Sequence, residues 1–288
     1  NYEKINKKCT LYKGDIYNNN FIKKIITNNK FEIIFHLAAQ VEVGVANHDP
    51  FDTWESNIRG TYTILNNLVK NKNIKSVIVA SSDKSYGEYP KKYLPYKESY
   101  LSKAIYPYDV SKACADMISK SYSSKLFNLP IITTRFANIY GPGQLHFSAL
   151  IPDIMKSLIT GKKFIPRGNG NDIRDYVFID DIVDVYLILS KKLYKNPNLK
   201  GEVFNAGTNK QHKVREIVKK FYVINNQVKE YQEILKKMKN KKTIGEINNQ
   251  FMDYSKLKKF FGWKPKYDFN TTAKTTYEWY KEYFKKNS

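Results

Sequence analysis

The chain alternates short apolar runs with longer stretches whose apolar residues recur every three or four positions. Cys9-Thr-Leu-Tyr12 reads as a short strand ending at Gly14-Asp15, and Phe21-Ile-Lys-Lys-Ile-Ile26 has helical spacing. Glu32-Ile-Ile-Phe-His-Leu37 reads as a buried strand that runs into Ala38-Ala39-Gln40. Pro50 to Lys70 again has helical spacing. The strand Ser76–Ser81 ends in the polar, titratable cluster Ser82-Asp83-Lys84, and after a polar loop comes a helix holding Tyr108 and Lys112. Leu129–Thr134 is a further strand. The helix Ile179–Leu193 and the strand Glu202-Val-Phe204 are expected to return to the same sheet.

Strands that alternate with helices predict an α/β chain with a parallel sheet and right-handed crossovers. In such sheets ligands bind beyond the carboxyl ends of the strands. Asp15, Ala38–Gln40, Ser81–Lys84 and Phe136–Asn138 all follow strands, so they are expected to meet at one crevice. From about residue 145 turn signals dominate, among them Gly141-Pro-Gly143, Pro166-Arg-Gly-Asn-Gly170 and Pro265. This part is expected to form a smaller lobe over the crevice. Lys229–Lys242 reads as a charged helix and linker, and no internal repeat is visible.

Composition narrows the function classes only modestly. With 288 residues and 42% hydrophobic content the chain can build one large or two modest cores. No apolar run reaches membrane-span length, and no secretory signal pattern opens the sequence. Two cysteines, Cys9 and Cys114, do not suggest a disulfide framework, which favours a reducing, cytoplasmic setting. Cys114 reads as a small packed residue. The net charge of +22 would suit a polyanion partner, but the lysines are dispersed along the chain. A solvated basic surface is the better reading, and nucleic acid is not an expected partner. The same field favours a small anionic substrate.

Tyr108-Asp-Val-Ser-Lys112 places a phenol and an ammonium one helical turn apart on one face. A neighbouring ammonium favours the phenolate, a base able to take a proton from an alcohol. In a Lys- and Tyr-rich chain the plain alternative is a solvated polar pair. Its position downstream of Ser81–Lys84 gives the pair its interest. His36, His48, His146 and His212 show no metal-ligand spacing, and His36 reads as a core residue.

Further motifs occur in a fixed order: His36-Leu-Ala-Ala-Gln40, Asp49-Pro50, Asn57-Ile-Arg-Gly-Thr61, Ser81-Ser-Asp-Lys-Ser-Tyr-Gly87, Arg135-Phe-Ala-Asn-Ile-Tyr-Gly-Pro-Gly143, Arg174-Asp-Tyr-Val-Phe-Ile-Asp-Asp181, Phe204-Asn-Ala-Gly207 and Leu257 through Gly262-Trp-Lys-Pro265. With Gly14-Asp15 and the Tyr108/Lys112 pair, they make the chain resemble the extended short-chain dehydrogenase/reductases of the nucleotide-sugar epimerase and 4,6-dehydratase group. That resemblance implies a Rossmann-type doubly wound sheet and NAD as cofactor. It also implies a cofactor domain over 1–145 that receives about 176–206, a substrate lobe over 146–288, and a homodimer formed through two helices per subunit. The family opens with a strand and a Gly-rich turn that seats the cofactor pyrophosphate. No match to that turn is present, and the chain is expected to be a fragment lacking that half-unit.

The resemblance also assigns roles. Asp15, Ile16, Ala38, Ala39, Gln40, Asn57, Ser81, Tyr108, Lys112 and Phe136 would contact the cofactor. Asn138, Arg174 and Asn205 would face the substrate nucleotide, the guanidinium fork suiting its diphosphate. From the residues alone, Arg174 could instead pair with Asp172 or Asp175. Ser82, Asp83, Lys84, Tyr108 and Lys112 would be catalytic. Epimerases of this family need only the hydroxyl, the Tyr and the Lys, whereas dehydratases carry an acid and a base after the hydroxyl residue. Asp83-Lys84 is similar to the pair in CDP-glucose 4,6-dehydratases, though inverting UDP-N-acetylglucosamine 4,6-dehydratases also carry Asp-Lys, and Gly245–Asp253 is similar to the CDP-glucose type. Gly44 departs from it, since a basic residue is usual there. The expected sequence is loss of the C4 hydroxyl proton to Tyr108, loss of the C5 proton to neutral Lys84, and protonation of the departing C6 oxygen by Asp83. Burial and cations such as Lys112 would keep Lys84 neutral. A 4-epimerase is the alternative enzyme, and a non-catalytic polyanion-binding relative is the alternative outside enzymes.

Overall fold

The computed structural model describes residues 9–239, 241 and 245–287. Its centre is a four-stranded parallel sheet in the order β1 (Ile33–His36), β2 (Ser76–Ala80), β3 (Ile131–Phe136), β7 (Val203–Ala206). Successive side chains of a strand point to opposite faces, and the sequence supplies apolar residues for both. Val77, Val79 and Ile131 pack with Ile22 and Ile26 of α1 (Asn19–Asn28) and with Leu65 and Leu68 of α4 (Gly60–Leu68). Ile78, Ile132 and Phe204 face the other way, onto Ile182, Val185, Leu189 and Leu193 of α7 (Ile179–Lys195) and onto Leu257 and Trp263. The parallel α/β sheet expected from the strand–helix alternation is present, with helices on both faces as the resemblance implies, and β7 closes the sheet beside β3.

Two expectations need correction. Cys9–Tyr12 forms no strand, and these residues are exposed. A strand exists only where a neighbour completes its hydrogen-bond ladder, and among the described residues none lies alongside it. Glu32–Leu37 does contain a strand, but not a buried one. It is the edge of the sheet, and Ile33, Phe35 and Leu37 remain 40%, 39% and 51% exposed.

After β3 the chain builds the second lobe. β4 (Asn138–Tyr140) pairs in parallel with β6 (Tyr176–Phe178), and β5 (Ile173–Arg174) pairs antiparallel with β8 (His212–Lys213). Around them lie α6 (Leu150–Thr160), α8 (Val214–Ile224), α9 (Val228–Met238) and α11 (Phe269–Asn287), whereas α10 (Ser255–Phe261) packs back on β7 of the first sheet, with Phe260 and Phe261 against Phe204. The second core joins Ile154, Met155, Phe221, Tyr231, Ile234, Phe269 and Tyr280. The helical part of Lys229–Lys242 thus packs an apolar face into this core, while residues 240 and 242 lie outside the described ones. Among the described residues no helix is long and apolar enough to cross a membrane.

Candidate active site

The turn after β2 is built to hold three polar side chains still. Ser82 caps a 3₁₀ turn, Asp83–Tyr86, by accepting the Lys84 N–H at 3.2 Å on its Oγ, and the same hydroxyl donates to Asp83 Oδ1 at 3.0 Å. Gly87 ends the turn at φ +70°, and a Cβ there would lie 2.2 Å from the Lys103 main chain, so only glycine fits. Tyr86 anchors the turn from below. It is fully buried, stacks on Tyr96 with ring centres 4.7 Å apart, and donates its hydroxyl to Asn205 at 2.7 Å.

Opposite this turn stands α5 (Pro107–Tyr122), started by a proline in its first turn, with Tyr108, Asp109 and Lys112 all buried. The Ser82 hydroxyl reaches the Tyr108 phenol. The sequence reading has Lys112 pulling that phenol down toward neutral pH. The fold does the opposite, pushing it up, mainly by burial and then through the Asp83 carboxyl, with Ser82 opposing. Lys112 is turned away: its Nζ donates to the Ala80 carbonyl at 3.1 Å and lies 5.9 Å from the Tyr108 ring centre. Burial lowers the Lys112 ammonium to about 8. Asp83 is 4% exposed and its Oδ2 has no partner. Burial raises its carboxyl above the usual range, against the pull of Lys84 and Ser82.

Beyond Lys84 opens a cavity of about 670 Å³ between the two lobes. Lys84, Asn138, Arg167, Arg174, His146 and Glu246 line it. Arg174 donates from Nη1 to the Ile173 and Asn248 carbonyls at 3.0 and 3.2 Å, and from Nη2 to Glu246 at 3.3 Å. Lys84 pairs with the same Glu246 oxygen at 2.9 Å, so its near partner is a carboxylate, not the cation Lys112. Gly44 lines the cavity with open space at its Cα, so packing does not demand glycine there.

Of the expected cofactor residues, Ala38–Gln40 and Ser81 follow β1 and β2, Phe136 ends β3, Asp15 and Ile16 precede α1, and Asn57, Tyr108 and Lys112 lie on helices. Asp15 and Ala38 are exposed, Ile16 packs on Gly60, and Ser81 donates to the Lys112 carbonyl at 3.3 Å. Asn57 sits in a π-helical stretch, Glu55–Arg59, joining α3 (Pro50–Trp54) to α4. It accepts from Gln40 N–H at 2.8 Å and donates to the Gln40 carbonyl and to Ser111, each at 2.9 Å. Its side chain is therefore spent on fixing the loop after β1 to α5. Phe136 is buried against Tyr186. Asn205 is not brought into the cavity. It is fully buried, with its amide between Tyr86 and the Tyr96 carbonyl. His36 is in the core, bonded to Thr61 at 2.9 Å, and burial lowers it to about 4. The Cys114 thiol is half-buried and pushed up by burial, which makes it a poor nucleophile.

Sequence reasoning missed Glu246, Arg167, His146 and Asp109. Gly245–Asp253 carried a signal for the first, and Pro166-Arg-Gly for the second. Nothing local marks Asp109, whose carboxyl burial raises to about 7, helped by Asp83 and Glu246 and opposed by Lys84 and Arg174. A carboxyl raised by folding favours the native state below its unfolded range and loses that contribution as pH rises through about 7. Asp109→Asn is therefore expected to melt progressively higher than the unsubstituted protein between pH 5 and pH 8, by roughly 2–4 °C per kcal/mol of ionisation cost. Thermal melts across that range check it; a constant difference would place the titration elsewhere.

The family model described as GDP-mannose 4,6 dehydratase matches residues 1–276. Human dTDP-D-glucose 4,6-dehydratase is 28% identical over 285 residues, 94% of this chain and 75% of that protein. The structure of dTDP-glucose 4,6-dehydratase from Bacillus anthracis, solved with NAD, superimposes with a TM-score of 0.81 at 28% identity, covering 98% of this chain and 82% of that one. UDP-glucose 4-epimerase from Thermotoga maritima, solved with UDP-glucose, gives a TM-score of 0.81 at 25% identity, covering 99% and 88%. With the strand order, the Tyr108/Lys112 pair and the Ser82–Lys84 turn in place, the chain belongs to the GDP-mannose 4,6-dehydratase family, the nucleotide-sugar dehydratases and epimerases of the extended short-chain dehydrogenase/reductases.

Proposed function

We propose that the chain is an NAD-dependent nucleotide-sugar 4,6-dehydratase, which converts a nucleotide hexose into its 4-keto-6-deoxy form. One observation carries the choice over the epimerase. A buried acid, Asp83, and a cavity-facing amine, Lys84, sit on one rigid turn beside the Ser82–Tyr108 pair. Epimerisation at C4 has no use for a buried carboxyl and an amine placed after the hydroxyl residue. Elimination across C5 and C6 needs both.

Apart from the Gly-rich pyrophosphate turn, for which the sequence has no match, the residues present fit NAD. Asp15 is an exposed acceptor, Ala38 and Ala39 are small at an open strand end, and Lys112 is a buried ammonium that suits ribose hydroxyls. Ile16, Gln40, Asn57, Ser81, Tyr108 and Phe136 complete that side, Asn57 by holding Gln40. When bound, NAD would supply the hydride acceptor needed at C4 and the hydride donor needed at C6. The protein's own groups do the rest. Tyr108 takes the C4 hydroxyl proton and Ser82 hydrogen-bonds that oxygen. The resulting ketone acidifies C5, Lys84 removes the C5 proton, and Asp83, whose carboxyl burial pushes above the usual range, delivers a proton to the leaving C6 oxygen. Arg174 and Asn138 hold the diphosphate, with Asn205 supporting the turn through Tyr86.

In this reading residues 1–145 with about 176–206 form the cofactor unit, and 146–288 form mainly the substrate lobe. The protein is taken as a cytoplasmic homodimer, with exposed Tyr62 on α4 and Met117 on α5 as apolar candidates for the contact. Incubation with CDP-glucose, then with UDP- and dTDP-glucose, tests the function by mass spectrometry. A product lighter by one water is expected. An unchanged mass with C4 inverted would make the protein an epimerase.

A further inference from the structure

We propose that Tyr108 and Asp83 share one proton through the Ser82 hydroxyl, so that a single shift along this path readies the base for C4 and the acid for C6 together. This rests on the dehydratase reading, in which one turnover needs a phenolate and a protonated carboxyl in the same site.

The three groups form a continuous path. The Ser82 hydroxyl meets the Tyr108 phenol on one side and donates to Asp83 Oδ1 at 3.0 Å on the other. The turn holds this hydroxyl still, since its oxygen also accepts the Lys84 N–H at 3.2 Å. Both ends of the path are buried. The Lys84 ammonium, the other side chain beside Asp83 with a proton to give, is drawn off to Glu246 at 2.9 Å. The Lys84 main-chain N–H also faces the Asp83 carboxyl, but an amide does not trade its proton in a relay. Ser82 is therefore the link between the two ends.

Electrostatics favour one proton on the pair. A phenolate and a carboxylate joined by one hydroxyl repel each other, and burial penalises both. Lys84 and Arg174 supply positive charge for one anion at Asp83. The other titratable groups acting here are Asp109 beside Tyr108 on α5 and Tyr96, with Lys112 Nζ 5.9 Å from the Tyr108 ring centre.

The proton count closes on itself. The phenol O–H bond breaks as its proton goes to Ser82 Oγ, and the Ser82 proton goes to Asp83 Oδ1. This leaves a phenolate and a carboxylic acid, and the phenolate no longer faces a negative Asp83. Tyr108 then takes the C4 hydroxyl proton, and the Ser82 hydrogen is free to bond the C4 oxygen. Asp83 gives its proton to the C6 oxygen, which leaves as water. Tyr108 is again a phenol and Asp83 again a carboxylate. The hydride lost at C4 returns at C6 and the proton lost at C5 is restored there, so one water leaves and no net proton enters from solvent.

Counting protons on the pair tests this in the ligand-free protein above neutral pH. Infrared difference spectra against Asp83→Asn read the protonated carboxyl, and ultraviolet spectra against Tyr108→Phe read the phenolate. One proton is expected, on either end. Two protons on the pair, or none, overturn the proposal. A second measurement follows the shift. Lys84→Met, stalled after C4 oxidation, is mixed with NAD and CDP-glucose beside a pH-indicator dye. Nicotinamide reduction is expected to leave the dye silent, because the C4 proton stays on the pair. Adding Ser82→Ala cuts the path, and about one proton per nicotinamide reduced should then reach the dye. Ser82→Thr, which keeps the hydroxyl, should silence it again. A serine with only a structural role would change the rate and not this stoichiometry. Equal release with and without Ser82→Ala overturns the path. Where Ser82→Ala reduces no nicotinamide, the ligand-free count decides. An unsubstituted enzyme that inverts C4 and loses no water ends the dehydratase reading. Water loss with two protons or none on the pair ends this proposal alone.

Discussion

Tyr108→Phe is expected to lower turnover by about two to four orders of magnitude, the usual range for losing a positioned base. The substitution keeps the ring and its packing. Tyr108 is 8% exposed and its hydroxyl meets Ser82, so the change removes one hydrogen bond and leaves the buried surface intact. Stability should shift by only about 1 kcal/mol. Steady-state assays beside thermal melts separate the two effects. Turnover close to normal would end the proposed chemistry at C4. Burial and Asp83 both disfavour the phenolate. The base must therefore gain help from positive charge in the assembled site, and Lys112, lowered to about 8 by burial, is the protein's candidate for it.

Lys84→Met and Asp83→Asn together form the second large expected effect, because they divide elimination into its halves. In Lys84→Met the C4 oxidation survives but the C5 proton has no acceptor. The enzyme should stall with reduced nicotinamide, seen by its absorbance band, and with a 4-keto sugar that retains its C6 hydroxyl. Exchange of C5 hydrogen with deuterated solvent should drop by about 10²–10⁴-fold. Asp83→Asn keeps Lys84 on the cavity side, so C5 exchange persists while water loss fails. The asymmetry follows from position. Lys84 lines the cavity and reaches Glu246, whereas Asp83 is buried behind it with its Oδ2 unpartnered. If both variants dehydrate substrate normally, the two side chains are only a turn ion pair.

Much of the fold was legible from local chemistry. Apolar runs on β2 and β3 demand helices on both faces, which gives an α/β sheet without further information. Tyr108 and Lys112 share a helix, and Ser82, Asp83 and Lys84 share one turn, so short-range spacing was enough to put each set together. Assigning Glu32–Leu37 to the interior failed because an apolar run says that a strand wants burial, not how many neighbours it obtains. Cys9–Tyr12 failed for the same reason, since a ladder requires a partner.

Tertiary structure alone decided the electrostatics of the site. Glu246 meets Lys84 across 162 positions of sequence, and no local pattern reports a salt bridge of that range. Lys112 was expected to serve the Tyr108 phenol, yet its Nζ rests on the Ala80 carbonyl, because burial leaves an ammonium to find the nearest acceptor. Asn205 and Asn57 carry family-like spacing, but packing turned the first under the sheet end and the second onto Gln40. Side-chain identity and spacing therefore determined which groups are available to this protein. Burial, which depends on every element at once, decided which of them hold a proton and which partner each one faces.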